Sequence, residues 1–187
     1  MTRFDPDMHH RRSIRLQGYD YAQAGLYFVT VCAQNRVSLF GDVMDGEMRL
    51  NEFGHIAAEE WARTADIRPN VTVDAFVVMP NHIHGIIVID GGASFPGTGT
   101  LLRALTTERF GKPTSNSIPT IVRLFKSATT KRINVLRGMP GVPVWQRNYY
   151  EHIVRDEDSL HRIRQYIGEN PARWADDAEN PAREKSQ

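Results

Sequence analysis

A chain of 187 residues, 41% hydrophobic and 24% charged, has the composition of one globular domain that can close a single core over its whole length, 1–187. Its one cysteine, Cys32, excludes an internal disulfide and points to a reducing cytosol. No apolar run approaches a membrane span, and Met1–Leu16 is too rich in His and Arg for a secretory leader, so a cytoplasmic protein without a membrane partner is expected.

The net charge of +1 conceals an uneven distribution. From Lys112 to Tyr150 there is no Asp or Glu, while Arg123, Lys126, Lys131 and Arg132 are all cationic. A segment without counter-charge suits an anionic polymer, and these four residues are the candidate contacts to such a polyanion.

In chain order, residues 1–17 form a basic arm with no clear period, expected to fray. Leu26–Ala33 is β-branched and aromatic and reads as the first core strand. Ser38–Leu50 carries Gly41-Asp42 and Asp45-Gly46 between short apolar pieces, the pattern of a peripheral hairpin. Asn51 can cap a helix through Phe53, Ile56, Ala57 and Trp61 that ends at Arg68-Pro69-Asn70. Val71–Met79 and His82–Ile89 read as strands joined by Pro80-Asn81, an antiparallel connection.

Residues 91–119 are rich in Gly, Ser, Thr and Pro and read as a long flexible loop. Ile118–Leu136 is an amphipathic helix with a stripe of Ile121, Leu124, Phe125, Ala128, Ile133 and Leu136, its basic residues lying largely off that stripe. Glu151–Val154 is a short strand, and Leu160, Ile163 and Ile167 give the face of a last helix that stops near Asn170 before Pro171. The tail, 175–187, is polar and expected to fray. This order predicts an α+β fold, a ferredoxin-like βαββαβ antiparallel sheet with an additional C-terminal helix.

Chemistry concentrates in Met79-Pro80-Asn81-His82-Ile83-His84. On a strand, His82 and His84 leave the same face while Ile83 points away, so two imidazoles converge as a divalent ion requires. Two histidines on a half-polar strand face need not bind metal, and the pattern alone leaves both readings open. On the last helix, Tyr166 and Asn170 are four residues apart and share a face that can look toward the sheet.

Four runs carry a resemblance: V-V-M-P-N-H-I-H-G-I-I, I-V-R-L-F-K-S-A-T-T-K-R-I-N, W-Q-R-N-Y-Y-E-H-I-V-R-D-E and Q-Y-I-G-E-N-P. Together with R-R-S-I-R-L-Q-G-Y-D-Y near the start, they resemble the REP-associated tyrosine transposases, single-tyrosine members of the HUH nuclease superfamily. The likeness spans most of the chain but does not reach 91–119. It implies that His82 and His84 are metal ligands, that Tyr166 is the catalytic tyrosine, and that Asn170, one helical turn later, completes the metal site.

It further implies single-stranded DNA with hairpin-forming repeats as substrate and a covalent 5′-phosphotyrosine; the sequence leaves monomer and homodimer both open. Two imidazoles and an amide oxygen suit Mg²⁺ or Mn²⁺. Two rival readings are a non-catalytic DNA-binding protein of the same fold and a zinc-dependent hydrolase built on His82 and His84.

Overall fold

The computed structural model describes residues 19–91, 116–177 and 179–182. The basic arm at 1–17, most of the loop expected at 91–119, and residues 183–187 of the tail lie outside the described residues.

Strand β1, Gly25–Cys32, lies inside a four-stranded sheet, flanked by β5, His82–Ile89, on one side and β6, Tyr150–Val154, on the other. Strand β4, Val71–Val78, pairs with the outer side of β5, so the order is β4-β5-β1-β6 and every pairing is antiparallel. Helix α1, Glu52–Asp66, connects β1 to β4, and helix α2, Ile118–Leu136, connects β5 to β6. This is the expected βαββαβ arrangement, and α3, Glu157–Glu169, is the additional C-terminal helix. The hairpin β2, Gly41–Met44, and β3, Glu47–Leu50, forms a separate small sheet. It turns at Asp45 and Gly46, both with positive φ (54° and 77°), as a tight hairpin turn demands.

Local signals explain the boundaries. Asn51 caps α1 by accepting from Gly54 N at 3.0 Å, and Asp156 caps α3 by accepting from Ser159 N at 2.7 Å. Helix α2 begins inside the stretch read as loop: Pro119 occupies its first turn, where a missing N–H removes no helical bond. Of the tail expected to fray, 175–177 and 179–182 are described and held in place, with Asn180 Nδ2 donating to Trp174 O at 2.8 Å.

Alternation along β5 divides its residues between two environments. Ile83 and Ile87 enter the main core with Trp61 of α1 and Ile121, Val122 and Phe125 of α2. Ile86 joins Phe28, Val154 and Ile167 in a smaller cluster beneath α3. Each fully buried isoleucine contributes about 2 kcal/mol. Gly85 is required on the core face: a Cβ there would run into the indole of Trp61, which lies directly against the strand. The register that buries these residues also fixes His82 and His84 on the α3 face.

Candidate active site

His82 and His84 sit on an inner strand hydrogen-bonded on both sides, so their backbone has little freedom, and both rings are almost fully buried. Their Nε2 atoms are 2.9 Å apart. Each Nδ1 is engaged from behind, by Asn81 Oδ1 at 2.8 Å for His82 and by Thr30 Oγ1 at 2.8 Å for His84. Asn81 is itself fixed, since its Nδ2 donates to the carbonyls of Arg36 (3.1 Å) and Glu179 (2.7 Å). Its oxygen must therefore face His82, which leaves the Nε2 lone pair of that ring for the site. Burial pushes both imidazoles down to about 3 from 6.5, with the neighbouring His82 lowering His84 further, so both rings are neutral near pH 7.

Helix α3 brings Tyr166 to the pair. Leu160 and Ile163 pack against the small cluster of Phe28, Ile86, Val154 and Ile167, and Arg164 forms a bidentate ion pair with Asp74 of β4. The Tyr166 hydroxyl lies 3.0 Å from His84 Nε2 and also meets the Asn170 side chain, which favours its charged form. Burial, followed by the negative charge of Asp177, outweighs that contact and raises the phenol above its usual 10. Asn170 keeps helical angles (φ −57°, ψ −43°) although Pro171 follows, so its side chain stays in register one turn beyond Tyr166.

The tail adds a group that sequence reading missed. Ligand atoms of His82, His84 and Asp177 all lie within 4.8 Å of one another, close enough to share one ion. Asn170 Nδ2 donates to Asp177 Oδ2 at 3.1 Å, while Asn170 Oδ1 is buried with no partner. An orphaned buried oxygen beside a carboxylate and two neutral imidazoles is a donor set that fits a divalent cation. Glu179 lies just outside, paired with Arg36 at 3.0 Å and accepting from Cys32 Sγ at 3.5 Å. Read as a polar tail, Ala175 onward gave no hint of this, but E-N-P-A-R at 169–173 recurs at 179–183. A repeat of the motif that ends α3 is a signal that the tail has structure.

The four cations read as DNA contacts do not share a face with this site. Helix α2 packs against the opposite side of the sheet. Lys126 Nζ points inward and donates to the carbonyls of Gln146 and Asn148, both at 2.8 Å. Arg132 is ion-paired with Glu59 (2.6 Å) and Glu60 (2.8 Å) of α1. Arg132 thus finds its counter-charge in three dimensions rather than along the chain. Arg123 and Lys131 are exposed.

Comparisons with known proteins bear on the family and the fold. No family model matches the chain. A Haemophilus influenzae protein described only as uncharacterized is 41% identical over 180 residues, covering 94% of this chain and 96% of its own length. A second protein of that organism, which carries the provisional name REP-associated tyrosine transposase, is 25% identical over 155 residues, or 82% of this chain and 74% of its own. The solved structure of a REP-associated tyrosine transposase bound to a REP hairpin superposes over 89% of this chain and 73% of its own, with a TM-score of 0.55 at 18% identity.

Proposed function

The chain belongs to one family with the 41% identical Haemophilus influenzae protein and is a more distant relative of the REP-associated tyrosine transposases, and from that kinship we propose that it cuts and rejoins single-stranded DNA beside hairpin-forming repeats, using Tyr166 as nucleophile. The observation that carries this reading is the convergence of helix and strand: the Tyr166 hydroxyl is 3.0 Å from His84 Nε2, which is 2.9 Å from His82 Nε2.

In this reading His82, His84 and Asp177 hold Mg²⁺ or Mn²⁺, with Asn170 Oδ1 as a further oxygen donor. A bound divalent ion would withdraw charge from a phosphodiester and orient it. The rest falls to the chain itself. Asn81 and Thr30 hold the imidazoles in orientation, and α3 presents the phenol. An Oη–P bond forms as the P–O3′ bond breaks, and the phenol proton ends on the departing 3′ oxygen. The phosphotyrosine keeps the energy of the broken bond, so the 3′ hydroxyl of another strand can reverse the step and join DNA without ATP. Because Asp177 works against ionisation of Tyr166, neutralising its charge is part of activating the nucleophile.

The test is denaturing electrophoresis of end-labelled, hairpin-containing single-stranded oligonucleotides with wild type, Tyr150→Phe and Tyr166→Phe, with and without EDTA. A covalent adduct is expected in wild type and Tyr150→Phe, lost in Tyr166→Phe and in EDTA, and restored by Mg²⁺ or Mn²⁺. An adduct that persists in Tyr166→Phe removes the assignment. Asp177 also favours the zinc hydrolase reading, since two imidazoles and a carboxylate are a zinc set. That reading requires cleavage without an adduct and without dependence on Tyr166.

A further inference from the structure

We propose that Tyr150, with His152 beside it, forms a stacking subsite for an unpaired nucleobase next to the phosphodiester that Tyr166 attacks. The inference rests on the DNA-cleaving reading above and adds where the strand lies.

Register supplies the first argument. Thr30 of β1 pairs with His84 on one side and with Tyr150 on the other, so the three residues stand in one row on one face of the sheet. Two strand spacings separate His84 from Tyr150, about 10 Å. His152, also exposed, pairs with Phe28 and follows Tyr150 along the same face.

Ring contacts supply the second. Phe28 is 8% exposed and lies under three other rings. His84 stacks on it at 5.4 Å, while Tyr150 and Tyr166 meet it edge-on at 6.3 and 6.2 Å. The two tyrosines are the solvent-facing members, 50% and 40% exposed. A lone exposed aromatic is ordinary, but this one shares its supporting ring with the candidate nucleophile.

Coverage supplies the third. Beyond its start, α3 runs along β4, where Arg164 pairs with Asp74, and reaches His84 of β5 through Tyr166, while the beginning of β6 stays exposed at Tyr150 and His152 among the described residues. The result is a shelf with Tyr166 as its wall, Phe28 as its floor and Tyr150 at its outer edge. Tyr149, one residue earlier, is turned the other way: it packs against the main core with Lys126 Nζ 5.6 Å from its ring centre. Alternation therefore leaves one of the adjacent tyrosines free to stack. A flat, uncharged ring accepts any base, so the subsite orients the strand without selecting sequence.

The experiment uses the full chain and a hairpin-containing oligonucleotide on which wild type forms the adduct, with 2-aminopurine placed in turn at each position near the cut. One position should be quenched by wild type and Tyr150→Phe and not by Tyr150→Ala. For adduct formation, Tyr150→Ala should raise KM about tenfold or more, with a smaller effect on kcat. An abasic residue at the quenched position should raise the wild-type KM similarly and add nothing to Tyr150→Ala. Unchanged KM and quenching in Tyr150→Ala would overturn the subsite while leaving the cleavage reading intact. An equal loss in Tyr150→Phe would overturn stacking in favour of the hydroxyl. If wild type forms no adduct on any hairpin-containing oligonucleotide, the cleavage reading fails and the subsite fails with it.

Discussion

The two faces of one sheet do different work with the same backbone. Ile83, Gly85 and Ile87 of β5 meet two helices and an apolar core, while His82 and His84 meet one helix and a cluster of polar groups. The face under α1 and α2 is filled by volume, whereas the surroundings of the two histidines are filled by matched hydrogen bonds. Substitutions should accordingly change stability on one face and chemistry on the other.

The largest expected effect is on the site face. His84→Ala should lower adduct formation at least about a thousandfold while unfolding stays cooperative. A rate within tenfold of wild type would remove the histidine from the reaction. Its neighbour should behave in the opposite way: Gly85→Ala forces a methyl against Trp61 and should cost about 2 kcal/mol in denaturant unfolding. An unchanged midpoint would show that the indole can move aside.

Acid should weaken the site face next. Burial holds both imidazoles at about 3 against 6.5 in the unfolded chain, so between those values the unfolded state binds protons that the folded state refuses. Stability is then fully present above pH 6.5 and declines as pH falls through the window toward 3. In metal-free buffer the denaturation midpoint should fall more steeply for wild type than for His82→Asn/His84→Asn, and parallel curves would refute the coupling. Asp177→Asn should weaken Mn²⁺ binding about tenfold in calorimetric titration, and wild-type affinity would exclude its carboxylate from the ion.

The smallest effect concerns α2. Lys126→Ala should cost about 1 kcal/mol of stability for its lost bonds to Gln146 and Asn148, and leave the salt dependence of DNA binding unchanged. A slope reduced by roughly 0.7 would place Lys126 on the strand after all.

Most of the fold was legible in the sequence because its signals are local. Asn51 and Asp156 cap their helices, Asp45-Gly46 turns a hairpin, and the two-residue period of the strand from His82 to Ile89 sends successive side chains to opposite faces. His82, His84, Tyr166 and Asn170 come together because strand and helix periods fix their directions. What was not legible depends on contacts across the chain. Nothing near Arg132 reveals that Glu59 and Glu60 will meet it, and nothing in a polar tail reveals that Asp177 returns to the histidines. Which sheet face a basic helix covers is likewise set by packing rather than by its own charges.

The hold on Asn81 has a consequence for mutational tolerance. Its amide is oriented by the backbone carbonyls of Arg36 and Glu179, groups that every residue type supplies. Exchanging either of those side chains leaves the carbonyl in place wherever the local chain path is kept, so the address of the proton on His82 is written in the course of two distant segments rather than in their residue identities. Only Asn81 has to be an amide: an aspartate has no N–H to offer those carbonyls, and an alanine has nothing to offer the ring. The orientation of the first imidazole thus depends on a single side chain and on the chain path at residues 36 and 179.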